Sequence, residues 1–385
     1  MRFLLLVVLT GTSWAQLRTK VDINGETPEG LALQQIGQEQ DPNKKLPLLE
    51  AFIGKYPKNP NMPWVLGTAI PIYQNANQPD KVMASVEQLL ALDPTDAEMA
   101  HAALKTAEAK NDGELIVKWA LATSQAAKKA GALPKPTDED EVERWTYRVN
   151  NGKQVDKYAE YAVYAAALRA TDPGMRVKLM DSVVQVNPQS EYLAPLDDYY
   201  FDAYRRMNNN EKALEVAERS VAANKAGEDM LLFAANAAFD KKDPAKAATY
   251  AQKLIDLMKT KPAPQGVESA AWESKRKTVT GAGLWLIGMT HAGAMKWQQV
   301  DDVLREALPM LEGNDALLGP ALFQLGLANF RMGEKGAKGQ PDTKRIMDAL
   351  RFNQQCAAIK GPYQAPAQRN IGAIRAQYRI PAAAK

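Results

Sequence analysis

Two stretches of the chain share an outline and few letters: DPNKKLPLLEAFIGKYP (residues 41–57) and DPGMRVKLMDSVVQVNP (residues 172–188). Each opens on Asp-Pro, carries an apolar stripe at helical spacing, and closes on a proline. Asp followed by Pro marks a helix start, because the carboxylate caps free N–H groups and proline is tolerated in the first turn. At a constant offset of 131, residues 41–122 lie over 172–253 without a gap. Asp41 then meets Asp172, Pro57 meets Pro188, Tyr73 meets Tyr204, Met99 meets Met230 and Asp112 meets Asp243. The breaks NANQPD, LDPTD, MNNNE and KKDPA read as turns and caps between amphipathic helices, and strand-like alternation is nearly absent. One helix pair cannot bury its own apolar face, so a chain of this pattern must stack many.

Length and composition agree. The 385 residues are 46% hydrophobic but only 7% aromatic, which favours close packing of small-residue helices. A formal charge of +3 gives no reason to expect a nucleic-acid partner. The first residues, MRFLLLVVLTGTSWAQ, carry Arg2, a short apolar run and small residues Ser13 and Ala15 before a cut after Ala15. This is the layout of a secretory leader of bacterial type. The expected mature chain is exported, periplasmic or secreted, with a flexible start at 16–27 and no membrane span. Cys356 is the single cysteine, so no internal disulfide can form.

The clearest unit is GLWLIGMTHAGAMKWQQVDDVLREALPMLEGN (residues 283–314). Leu284, Ile287 and Gly288 form its first cluster with His291 after them, and Val300, Leu304 and Ala307 follow at the matching distances. Residues 321–333, ALFQLGLANFRMG, repeat the core at Leu322, Leu325 and Gly326. The chain thus resembles the tetratricopeptide-repeat (TPR) family over nearly all its mature length. The resemblance implies an all-α, right-handed superhelical solenoid of about eight antiparallel helix pairs. The pairs are expected near 28–60, 62–94, 97–126, 143–188, 192–222, 228–257, 281–314 and 316–360, with a closing helix near 365–379. Repeats are expected over 28–260 with a connector at 130–142, and again over 261–385. Gly288 is small because its helix must lie close against the next.

In this family the first helix of each pair lines a concave groove. Eight of the thirteen tyrosines fall between Tyr147 and Tyr204, so the groove should be most distinctive there. Repeat register places Tyr158 and Tyr161 in it from one unit and Asp198 and Asp202 from the next, with Tyr199 beside them. Such a patch suits an extended peptide with a basic or aromatic anchor. The plainer reading is that large tyrosines fill gaps where small packing residues are missing, as expected for Tyr164, Phe201 and Tyr204.

Chemical readings find little support. The histidines are two, His101 and His291, and no HExxH or CxxC spacing occurs, so no metal ligands, cofactor or catalytic residues are expected. GEKGAKGQPD (residues 333–342) fails the P-loop spacing and joins helices. Cys356 reads as a buried thiol and TDEDEVE as an acidic helix start. The family's clamp for a C-terminal carboxylate is missing, because Trp285, Leu286, Met289, Phe323, Gln324 and Leu327 occupy the matching positions. The expected function is an exported, non-enzymatic scaffold that binds an unidentified protein or peptide through its groove, with envelope assembly as one setting. The alternative is a receptor for a glycan or small ligand. A sugar site would need exposed, coplanar rings in one pocket, whereas a peptide site would spread them along the groove. The sequence sets neither the partner nor the oligomeric state.

Overall fold

The computed structural model describes residues 21–334 and 340–381. The expected leader and half of the glycine-rich 333–342 segment, residues 335–339, lie outside the described residues. The described chain holds seventeen α-helices and falls into two compact units, up to Met207 and from Asn208.

The first unit contains α1 (Pro28–Gln38), α2 (Pro42–Lys55), α3 (Met62–Asn75), α4 (Pro79–Leu92), α5 (Ala97–Ala109), α6 (Gly113–Gly131), α7 (Glu139–Arg169), α8 (Pro173–Val186) and α9 (Leu196–Arg206). A 3-10 turn, Glu191–Leu193, precedes α9. Short connections make successive helices antiparallel partners. First helices pack on first helices, as α5 on α7, and second helices on second helices, as α6 on α8. One large core runs through the unit, with Leu33, Leu66, Ile70, Leu104, Trp119, Leu179 and Met180 essentially closed to solvent, and a smaller cluster gathers Ala97, Ala100, Ala126, Ala127 and Val155.

The second unit contains α10 (Asn210–Ala222), α11 (Glu228–Asp240), α12 (Pro244–Thr260), α13 (Ser269–Gly293), α14 (Trp297–Leu311), α15 (Asp315–Glu334), α16 (Thr343–Ala358) and the closing α17 (Gln364–Tyr378). Glycines set how closely its helices approach. A Cβ on Gly288 would lie 2.3 Å from Leu304, and one on Gly326 would lie 2.4 Å from Asn353. Neither fits, so α13 and α15 touch their partners α14 and α16 through bare backbone, as Gly288 leads one to expect. Cys356 is buried in α16, and burial pushes its thiol up to about 11.

The 131-residue offset is visible in the helices themselves. It carries α2 onto α8 and α5 onto α11 end for end, and carries the start of α6 onto that of α12. Asp41 and Asp172 cap α2 and α8, accepting from Asn43 N and Met175 N. Asp112 and Asp243 likewise cap α6 and α12. Whereas α1 and α7 end on extended backbone at Glu39 and Ala170, four of the turns between paired helices share one device, a single residue in the left-handed region: Asn77, Asn111, Lys242 and Met295. The next N–H then reaches back to a carbonyl in the last helical turn, as from Gln78 to Tyr73 at 2.9 Å and from Asp243 to Ala238 at 2.9 Å. This closes the helix ends with backbone alone.

Two helices are longer than their sequence spans suggest. α7 starts at Glu139 and α13 at Ser269, ahead of the expected 143 and 281. Asp138 caps α7 through Glu141 N, with Glu139, Asp140 and Glu141 in its first turn. At the start of α13, Trp272 is buried, and Lys275 donates to Glu228 of α11 at 2.8 Å. Tertiary contacts, not a strong apolar stripe, extend that helix.

Candidate partner-binding site

The first unit's first-helix face carries a run of aromatic rings. His101 projects from α5, and Tyr158, Tyr161 and Tyr164 from α7, where spacings of three residues keep the tyrosines on neighbouring faces. Tyr192 comes from the 3-10 turn. His101 meets Tyr158 edge-on at 4.8 Å between ring centroids, and Tyr158 lies 6.2 Å from Tyr161. Tyr161 is 6.4 Å from Tyr192, which stacks on Tyr164 at 4.5 Å.

One end of the run is locked. Lys105 Nζ donates to Tyr158 Oη at 2.5 Å, and Tyr158 Oη donates to Glu108 Oε2 at 2.7 Å. Lys105 also pairs with that carboxylate at 3.1 Å. Burial and Glu108 raise the Tyr158 pKa against the pull of Lys105, while the bond to Tyr158 raises that of Lys105. Burial first, and Lys105 second, hold His101 below its ordinary value, so it is neutral at pH 7.

The other end is open. Tyr161 is 49% exposed. Among the described residues, the hydroxyls of Tyr161, Tyr164 and Tyr192 have no hydrogen-bond partner, whereas those of Tyr73 and Tyr158 are bonded to Glu50 and Glu108. Burial, then the charges of Glu191 and Glu160, raise the pKa of Tyr192. Glu160 is itself buried, and its Oε2 accepts from Asn187 Nδ2 at 3.0 Å.

Of the five residues picked from sequence, Tyr158 and Tyr161 come together in this run. Tyr199 is partly buried against the core of the unit. Asp198 is exposed in the first turn of α9. Asp202 turns toward α8, accepting from Arg176 Nη1 at 2.9 Å, with Arg206 at 3.9 Å. Sequence reasoning passed over Tyr192, Glu160, Lys105 and Glu108, gave His101 no part in the groove, and left Tyr164 as a packing group. His101, Lys105 and Glu108 share one face of α5 by spacing alone, and that was the available signal.

The second unit's matching positions look different. Trp285 of α13 lies 5.8 Å from Phe239 of α11, and Phe323 of α15 lies 5.1 Å from Tyr363. Polar groups there serve packing between helices: Asp301 of α14 accepts from Arg305 Nε at 2.7 Å, Asn329 Nδ2 at 2.6 Å and Arg345 Nη1 at 3.3 Å.

No family model matches the chain, and no curated protein matches it. Among solved structures it is similar to the P58(IPK) TPR domain, with 9% identity over 91% of this chain and 96% of that one, at a TM-score of 0.23. It is similar to yeast Tom70 at 10% identity over 93% of this chain and 97% of that one, with a TM-score of 0.29. It is also similar to a human IFIT1 dimer with m7Gppp-AAAA, at 12% identity over 95% and 84%, with a TM-score of 0.25.

Proposed function

We propose that the protein is an exported, non-enzymatic scaffold that binds an extended segment of a protein partner along the first-helix face of its first unit. The observation that carries this reading is the aromatic run from His101 to Tyr192, open at Tyr161. Its rings come from two helices and a turn, and most are tilted: 59° between Tyr158 and Tyr161, and 56° between Tyr161 and Tyr192. The near-parallel pair, Tyr164 and Tyr192, is stacked ring on ring. A flat sugar needs an open platform, while a peptide can place successive side chains between tilted rings. The geometry therefore favours a peptide over the glycan alternative.

Export rests on the leader at residues 1–15, and envelope assembly would be one setting for such a scaffold. A photocrosslinking amino acid at position 161 tests the site. In the native organism it should capture a defined protein, and the Tyr192→Ala variant, shown by circular dichroism to be folded, should lose the product. An undiminished product in that variant would move the site elsewhere. Sequencing the N-terminus of the exported protein should give Gln16 first.

A further inference from the structure

Besides Asp96, which caps α5 by accepting from Met99 N, three carboxylates are buried among the described residues: Glu160 at 8% exposure, Glu228 at 7% and Asp301 at 5%. Burying a carboxylate is costly unless a cation or several donors compensate it. Glu228 has two cations, Lys261 Nζ at 2.5 Å and Lys275 Nζ at 2.8 Å. Asp301 has two as well, Arg305 at 2.7 Å and Arg345 at 3.3 Å. Glu160 has none among the described residues; its one partner is the neutral amide of Asn187. That amide is fixed in orientation, because Asn187 Oδ1 already accepts from Gln189 N at 2.9 Å.

The surroundings of Glu160 are also unlike those of the other two. Tyr164 is one helical turn away and Tyr161 is the next residue, and both contact Tyr192. Glu191, exposed and adjacent to Tyr192, adds a second negative charge. Aromatic faces attract a cation, and a planar guanidinium can stack on a ring while its N–H groups reach a carboxylate.

We propose that Glu160, with Tyr161, Tyr164 and Tyr192, receives an arginine side chain of the bound partner, which supplies the missing counter-charge. This inference rests on the peptide-binding reading above and names its anchor. Arginine is favoured over lysine because Tyr161 is 49% exposed and in ring contact with Tyr192, and a planar guanidinium can stack on such a ring.

The test uses a fluorescein-labelled (Gly-Gly-Arg)3 peptide and its citrulline counterpart, which keeps the shape and loses the charge, in a fluorescence-anisotropy titration of the purified protein. The arginine probe should bind at least about tenfold more tightly than the citrulline probe. Glu160→Gln, which is nearly isosteric, should weaken the arginine probe by a similar factor with its melting temperature preserved. Tyr161→Leu, at an exposed position, should weaken the arginine probe several-fold and guards against a fold defect in the first variant. Glu215→Gln, an exposed acid of the second unit, should change nothing. Equal binding of the two probes overturns the proposal, as does arginine binding that survives Glu160→Gln or Tyr161→Leu. If the position-161 crosslinker still captures its partner in Glu160→Gln with undiminished yield, the groove reading stands and the arginine anchor falls. If it captures no partner in the unaltered protein either, the groove reading itself has failed.

Discussion

Asp301 of the second unit and Glu160 of the first are buried acids on helices of the same architecture, yet they are handled in opposite ways. Asp301 is tied to α15 and α16 through Asn329 and Arg345, and Arg305 extends the network to Asp348 at 2.8 Å. Arg305 also lies 4.8 Å over the ring of Phe352. Glu160 has tyrosines and one amide. The stacked-pair fold needs only the apolar stripes and close approaches that both units possess, so its polar residues are free to differ. In the second unit they cross-link helices. In the first, a group of them remains available on the first-helix face.

That contrast can be broken by experiment, and the largest effect should come from Asp301→Ala. Removing this acid leaves Arg305 and Arg345 without the carboxylate they share, and urea unfolding should show a loss of about 3 kcal/mol. A loss below about 1 kcal/mol would mean the network is not structural. Gly288→Ala should follow at about 1–3 kcal/mol, because its methyl meets the fully buried Leu304. A thermal melt that does not move would show that α13 and α14 separate easily.

Glu228 sharpens the comparison through pH. Burial alone would raise its pKa, but the hydrogen bonds from its two lysines and from backbone N–H hold it at about 2 in the folded protein, against an ordinary 4.5. A depressed folded-state pKa contributes stability above about 4.5 that disappears as pH falls toward 2. Glu228→Gln should therefore be less stable than the unaltered protein at pH 7, with the gap closing between those two values; a constant gap would refute the linkage. The smallest effect should be that of Glu160→Gln at pH 7, a change within about 1 kcal/mol of zero, because no internal ion pair is lost. A loss as large as that of Asp301→Ala would place Glu160 among the structural acids.

The helices were legible wherever local rules and packing agreed. Asp41 and Asp172 both announce capped, proline-started helices, and Asn77 and Asn111 mark turns where the left-handed conformation is needed. The early start of α13 was not legible. Its opening SAAWESKRKT is mostly polar, and the helix there depends on the burial of Trp272 and on Lys275 reaching Glu228, distant in sequence. For the site, Tyr158 and Tyr161 could be paired by helical spacing. Tyr192 could not, since it lies in a short turn whose position follows from how α8 and α9 connect. The burial of Glu160 was invisible for a simpler reason: an acid on an amphipathic helix reads as solvent-facing, and only packing reveals otherwise.

The Asp-Pro helix starts also bear on how such a chain can change length. Six helices, α2 to α7, are followed at the 131-residue offset by six more, α8 to α13, and both sets open on Asp-Pro. The seam between Thr171 and Asp172 is chemically the seam between Gln40 and Asp41. Excising residues 41–171 would join Gln40 to Asp172 and recreate a helix start already in use, and duplicating them would do the same. Such a gene can gain or lose a block of six helices in one event without inventing a new junction.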